Sequence, residues 1–409
     1  MTIGARPVHV LYGGAHLYKA ESAAKLGKIA RASLDAVAKS DAELAALVDM
    51  RDPSLAAELC ALVREKLDRE SIESICIDFE DGYGPRPDEE EDADATRTAQ
   101  ELARARAVLG AERPIVGIRI KSLEEGTRRR ALRTLDLFVT TLAQATSGAL
   151  THGFTVTLPK VARPSDVAFF VDILGALESK LGIESGRIAI EIMVETPRTL
   201  VDAEGRVALP AIVAAARGRC VAAHLGAYDL TAALGVAATA QRLAHPACEL
   251  ARVLMQIALA DTGVAVVDGA TTLLPLGDDP DARRRAWVLH AAAVSRALDL
   301  GIYQGWDLHP AQIPARYAAL YAFFLAERAP MAARLESFVK KSKQATRSGQ
   351  VFDDAATGRG LVSFFLRGVA CGALSEADLA PTGMSLDEVR ALFDQDLTAR
   401  STTASGETR

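Results

Sequence analysis

No stretch of this 409-residue chain approaches the ~20 consecutive apolar residues that a membrane helix needs, so no membrane partner is expected. Cysteine is sparse: Cys60, Cys76, Cys220, Cys248 and Cys371 are odd in number and show no C-x-x-C spacing. That pattern excludes a disulfide framework and predicts reduced, mostly buried thiols. No Cys/His grouping has zinc spacing. There is no lysine or arginine block, and the net charge of −6 argues against a nucleic-acid surface. Repeats and low-complexity tracts are absent, and the opening MTIGARPVHVLYGG carries no apolar segment of signal-peptide type. The expected compartment is the cytoplasm.

What is present is a globular composition, with 49% apolar and 24% charged residues. Eight short apolar runs recur: Val8–Tyr12, Ile75–Phe79, Ile115–Ile120, Phe154–Leu158, Ile188–Val194, Cys220–Leu225, Val264–Val267 and Gly301–Gln304. Helical patterns separate most of them, at Arg128–Gln144, Pro164–Leu181, Pro210–Ala216, Pro246–Ala260 and Asp281–Leu298. Eight alternations of strand and helix predict an α/β fold, a (β/α)8 TIM barrel, over residues 1–330. Two connections exceed one helix: 21–73, read as extra helices, and 84–113, read as an acidic surface insertion opening a helix. Residues 331–397 are expected to form a C-terminal helical appendage acting as a lid, and 398–409 a disordered tail.

The chain is organised around IAIEIMVETPRTL, residues 188–200. Its apolar run suits a strand buried on both faces, and Thr196-Pro197 stops it, because proline lacks the N–H a central strand must donate. Glu195 is thus left at the strand's C-terminal mouth, where a carboxylate is costly unless paired or bound to a cation. Barrel enzymes carry their reactive groups at such ends. The other ends supply Glu80 and Asp81, Arg119, Lys160, Asp229, Asp268, and Asp307 with His309. Glu195 and Asp229 follow adjacent strands, so their carboxylates can converge on one ion. Two carboxylates with water and substrate oxygens are how Mg²⁺ is usually held. Arg119 offers a planar fork for a substrate carboxylate, or else pairs with Glu80 or Asp81 at the mouth.

Six motifs in one order carry a family resemblance: IDFED (77–81), GIRI (117–120), LPKV (158–161), IMVET (192–196), LGAYDLTAALG (225–235) and GWDLHPAQI (305–313). Over roughly residues 7–357 the chain resembles the citrate lyase β-subunit-like and malyl-CoA lyase group of the HpcH/HpaI aldolase superfamily. The resemblance implies a barrel, a divalent metal, and carbon–carbon cleavage or formation through an enolate. It places Glu195 and Asp229 on the Mg²⁺ (or Mn²⁺) ligands and Arg119 on the substrate-binding arginine. Glu80 and Asp81 fall on the acidic pair near the substrate, and Lys160, Gly226 and Ala227 on substrate-contacting turns. It further implies a homo-oligomer, trimer or hexamer, in which Asp353 of the 349–357 segment reaches a neighbouring subunit's site; Asp354 is its competitor for that role. Arg119-Ile-Lys121 stands where these enzymes commonly have Arg-x-Asn.

The expected function is a Mg²⁺-dependent lyase or aldolase acting on a small oxo- or hydroxy-acid, free or as its CoA thioester. The rival readings are a malate-synthase-like or thioesterase activity on an acyl-CoA, and a catalytically inactive metabolite-binding barrel. Several residues have plainer readings. Tyr12-Gly13-Gly14 suits a tight turn, His309 before Pro310 a structural role, His16 and His224 the core, and the 88–94 acidic run a solvated face.

Overall fold

The computed structural model describes residues 6–109, 114–150, 152–348 and 355–392. Eight parallel strands close into a barrel in sequence order. They are β1 (His9–Gly14), β2 (Ser74–Asp78), β3 (Ile115–Arg119), β4 (Thr155–Leu158), β5 (Ala189–Val194), β6 (Cys220–Leu225), β7 (Ala265–Asp268) and β8 (Gln304–Asp307). Closure is made by β1 against β8, with Val10 opposite Trp306. The expected (β/α)8 architecture is what the chain adopts.

Strand alternation assigns each side chain a face. Val10, Tyr12, Cys76, Met193, Ala222, Ala265, Val267 and Trp306 pack into one buried cluster inside the barrel. Their neighbours Ile75, Ile77, Ile118, Val156, Ile190, Ile192, Val194 and Leu225 face the helices and are also buried. Both faces are covered, which is why these strands read as continuous apolar runs.

The last strand differs from expectation. Gly301 has φ of 77° and belongs to the turn that closes the preceding helix, so the strand begins only at Gln304. Its one apolar residue, Trp306, was too little for a run-based reading to find.

Helices between strands start and stop on local chemistry. Pro164 opens Pro164–Leu181, and Gly182, at φ 67°, closes it in the left-handed conformation. Pro246 and Pro280 open Pro246–Leu259 and Pro280–Asp299, and Asp279 caps the latter through the Asp281 N–H. The acidic insertion opens the helix Asp88–Leu109, but it is not simply a solvated face. Glu91 is fully buried; it accepts from Lys121 Nζ at 2.6 Å and from Thr134. The lysine of Arg119-Ile-Lys121 is therefore matched by a carboxylate from the insertion.

Contacts divide the chain into two compact units. Pro7–Val37 with Leu67–Arg316 holds all eight strands. The other unit gathers Ala38–Lys66 and the described part of Tyr317–Arg409. Within it, Arg328 bridges Glu58 and Asp378, while Phe324, Phe364 and Phe365 form its aromatic core. After β8 one long helix, Ile313–Ser348, runs through Pro330. Pro330 is exposed, so the carbonyl it leaves without a donor can face water.

Candidate active site at the barrel mouth

Inward-facing residues at the C-terminal ends of β2 to β6 converge on one charged cluster. Asp78, the last residue of β2, is almost wholly buried and grips Arg119 of β3 side-on. Arg119 Nε donates to Asp78 Oδ1 at 2.7 Å and Nη2 to Oδ2 at 2.5 Å. Its third nitrogen, Nη1, lies 3.1 Å from Glu80 Oε2 and 3.9 Å from Asp81 Oδ2. The Nε/Nη2 edge of the fork, read from the sequence as a clamp for a substrate carboxylate, is thus held by a residue of the protein. Asp78 in turn accepts from the N–H groups of Glu80 (2.9 Å) and Gly82 (2.7 Å), which folds the 78–82 turn around it. A Cβ on Gly82 would stand 2.6 Å from Asp78 Oδ2, so the turn requires glycine there.

Lys160 follows β4 in the left-handed region, φ 52°, which is unusual for a residue with a Cβ. The conformation has a visible consequence. It aims the Lys160 N–H at Glu195 Oε1, 2.7 Å away. The Lys160 ammonium bonds Glu80 Oε1 and stands 4.0 Å from both Glu195 Oε1 and Asp81 Oδ2.

Glu195 lies just past β5 with its side chain 1% exposed. Burial raises its carboxyl to about 7; Lys160 and Arg119 oppose this, and the negative charges of Glu80 and Asp229 add to it. Asp229, in the first turn of the helix Ala227–Ala233, is half-buried and within electrostatic range of both Glu195 and Lys160. The intervening Gly226 passes directly over Glu195. A Cβ there would meet Glu195 Cβ at 2.4 Å and Oε2 at 2.6 Å. Gly226 and Ala227 therefore lie in the turn that passes over Glu195 and opens the helix carrying Asp229.

Glu80 is also raised, by burial first, with Arg119 and Lys160 opposing. Asp81 differs from it sharply: its side chain is 59% exposed against 10% for Glu80. Of the acidic pair, Glu80 is the member built into the cluster.

Two strand-end carboxylates expected in the ring point elsewhere. Asp268 is buried against Arg252 of Pro246–Leu259, with Nε donating at 2.7 Å. Asp307 is buried under a bidentate bond from Arg316, both arms 2.8 Å, with His290 Nε2 at 3.1 Å. Strand parity explains both, since each follows an inward residue, Val267 or Trp306, and so faces the helices. His309 caps the short turn Pro310–Gln312 from its Nδ1, a structural role. His224 is a core histidine, fully buried. Its Nδ1 shares a 3.1 Å hydrogen bond with the Tyr12 hydroxyl, and its Nε2 lies 3.5 Å from Glu191 Oε2. The Arg119 guanidinium sits over the Tyr12 ring, 5.1 Å from its centroid. Asp353 and Asp354 lie outside the described residues.

Asp78, Tyr12 and Glu191 were missed from the sequence. The parity argument that excludes Asp268 would have found Asp78, two residues after the inward Cys76.

Do these residues fit a divalent ion? Among the described residues no group of three or more His, Cys, Asp or Glu side chains is arranged to hold a metal. Mg²⁺ asks for less, typically one or two carboxylates with waters completing an octahedron. Glu195 and Asp229 are such a pair. Asp78, Glu80, Asp81, Glu195 and Asp229 outnumber the cations Arg119 and Lys160, and Glu80 and Asp229 add to the burial that raises the Glu195 carboxyl. The donors and the surplus of negative charge fit a dication.

A parallel barrel with a carboxylate-rich mouth is the class of protein that fold and site define. The chain belongs to the family whose model is described as a domain of unknown function, DUF6986, which matches residues 2–396. No curated protein matches it. Among solved structures it is similar in fold to a citrate lyase from Burkholderia xenovorans LB400. That match has 23% identity and a TM-score of 0.56, over 80% of this chain and 92% of that one. A Haloferax volcanii malate synthase in a lead(II) complex matches at 15% identity and TM-score 0.48, covering 87% and 88%. A citrate lyase β subunit from M. tuberculosis, complexed with oxaloacetate and magnesium, matches at 18% and 0.43, covering 78% and 99%. No helix among the described residues is long and apolar enough to cross a membrane.

Proposed function

We propose that this protein is a Mg²⁺-dependent carbon–carbon lyase or aldolase acting on a small oxo- or hydroxy-acid, free or as its CoA thioester. The observation that carries this reading is the charge arrangement at the mouth. Two carboxylates from adjacent strand ends, the buried Glu195 and the half-buried Asp229, share the mouth with Arg119 and Lys160, and Glu195 is raised to about 7. The six ordered motifs support the same reading.

Bound to Glu195 and Asp229, a divalent ion would supply Lewis-acid polarisation of a 2-oxo acid's carbonyl. This chain's own residues do the rest. Asp78 fixes the guanidinium plane of Arg119, so the donors not gripped by Asp78 are preorganised for charge developing on an enolate oxygen. Glu80, raised by burial and touching both Lys160 and Arg119, can hold or release a proton at its carboxylate oxygens. Lys160 holds Glu195 in place through its backbone N–H. Assembly into a homo-oligomer whose Asp353 completes a neighbour's site belongs to the same proposal.

The test is direct. Purified protein with Mg²⁺ or Mn²⁺ is given oxaloacetate, and separately glyoxylate or pyruvate with and without an acyl-CoA, and product formation is followed. Turnover that stops on chelation and is absent in Glu195→Gln is expected. A protein that binds no Mn²⁺ by calorimetry and turns over none of these would overturn the reading in favour of an inert barrel.

A further inference from the structure

The lysine at this mouth occupies an unusual position relative to the carboxylates proposed to hold the metal. Its backbone and its ammonium act on Glu195 in opposite senses. The backbone N–H, turned inward by the left-handed φ of 52°, donates to Glu195 Oε1 at 2.7 Å and fixes that carboxylate. The ammonium of the same residue stands 4.0 Å from the same oxygen. A cation so close to a ligand oxygen, in a buried setting where screening is weak, disfavours a second cation there. What holds the ammonium is Glu80, its hydrogen-bonded partner, itself braced by Arg119 Nη1 at 3.1 Å. Two positive charges therefore draw on one set of carboxylates, and Glu80 decides how far the lysine leans toward Glu195.

We propose that Lys160 is a positioning residue that sets metal affinity: its ammonium competes with a divalent cation for Glu195, and Glu80 restrains that competition by holding the ammonium aside. The inference rests on the reading of Glu195 and Asp229 as the metal pair. It makes the metal readily exchangeable, and it leaves the lysine free to meet an anionic substrate when the dication takes over the neutralisation of Glu195.

The proposal predicts effects of opposite sign from two neighbours, which general damage to the site would not produce. Calorimetric titration of the full chain with MnCl₂ at neutral pH and fixed ionic strength provides the readout. Lys160→Gln keeps the backbone N–H and removes the charge; it should bind Mn²⁺ about tenfold or more tighter than wild type. Lys160→Arg keeps the charge and should stay close to wild type. Glu80→Gln frees the ammonium to move onto Glu195 and should bind several-fold weaker. In Glu80→Gln/Lys160→Gln most of that loss should vanish, a coupling that a double-mutant cycle measures. Thermal melts establish that each variant folds, and Lys160→Met replaces Lys160→Gln should the latter fail. Mn²⁺ binding in the lysine variant that is unchanged or weaker overturns the proposal. If wild type and both lysine variants all take up no Mn²⁺, the metal pair itself is wrong; if wild type binds and Glu195→Gln does not, only the Lys160 inference is at stake.

Discussion

Removing Asp78 should be among the most damaging single substitutions in the barrel, although no catalytic role is assigned to it. Asp78 and Arg119 are 1% and 5% exposed, with two hydrogen bonds of 2.7 and 2.5 Å between them. Asp78→Asn keeps the shape but leaves the Nε/Nη2 edge of a buried guanidinium without its carboxylate, with only the Nη1 side still near Glu80 and the exposed Asp81. Breaking a buried pair from one side costs about 3–5 kcal/mol, because the surviving charge stays desolvated. The barrel unit holds roughly 280 residues. At about 2.1 cal/mol/K per residue its unfolding entropy is ~0.6 kcal/mol/K, so a loss of ~4 kcal/mol lowers Tm by ~7 °C for a single transition. Differential scanning calorimetry of wild type, Asp78→Asn, Arg119→Met and the double variant reads this directly. The double variant should recover much of the loss, since it buries no unpaired guanidinium. A shift below ~2 °C in Asp78→Asn, or a double variant no better than the single, would refute the argument and return Arg119 to a solvated role.

Further outcomes can be checked alongside it. Glu195→Gln and Asp229→Asn should each abolish Mn²⁺ binding while leaving the fold intact. Glu195→Gln should also hold or raise Tm, since burial already disfavours its charge; retained full activity in either would remove that carboxylate from the site. Gly226→Ala, whose Cβ would lie 2.4 Å from Glu195 Cβ, should weaken Mn²⁺ binding about tenfold or more, because a shift of order 1 Å spoils ligand geometry. Gly126→Ala, with nothing within 4 Å, is the silent control. Arg316 and His290 hold the Asp307 carboxyl well below the usual carboxylate range, overcoming its burial. The unfolded chain therefore binds that proton first, so this stability is fully present above pH ~4–5 and is lost as pH falls further. Asp307→Asn should accordingly be less stable at pH 7 and show a flatter acid limb in Tm; an unchanged limb would count against the pairing. Arg119→Lys should raise KM, because a point charge cannot reproduce an oriented fork; wild-type kinetics would dismiss its substrate role.

How much of this was legible beforehand depends on the range of the signal. The barrel was, because its evidence is local. β-branched runs such as Ile188–Val194 are long enough to be strands, and proline at 164, 197, 246 and 280 marks where strands cannot continue or helices begin. β8 escaped because QGWD has a single apolar residue, and its inward tryptophan is supported by strands distant in sequence.

The sequence by itself determined the barrel, the order of its strands, and the set of charged residues available at their ends. Only the tertiary structure decided which of them meet. Parity of the closed sheet turned Asp78, Arg119 and Glu195 inward, and turned Asp268 and Asp307 outward to Arg252 and Arg316. Contact between elements distant in sequence buried Glu91 beside Lys121 and gathered Ala38–Lys66 with the described residues from Tyr317 on. A left-handed turn after β4, which no propensity for lysine predicts, brought the Lys160 N–H onto Glu195. The physical reason is common to all of these. Local patterns fix which backbone forms, whereas the energy of a buried charge depends on its nearest partners, and those are chosen by how the closed barrel brings distant strands together.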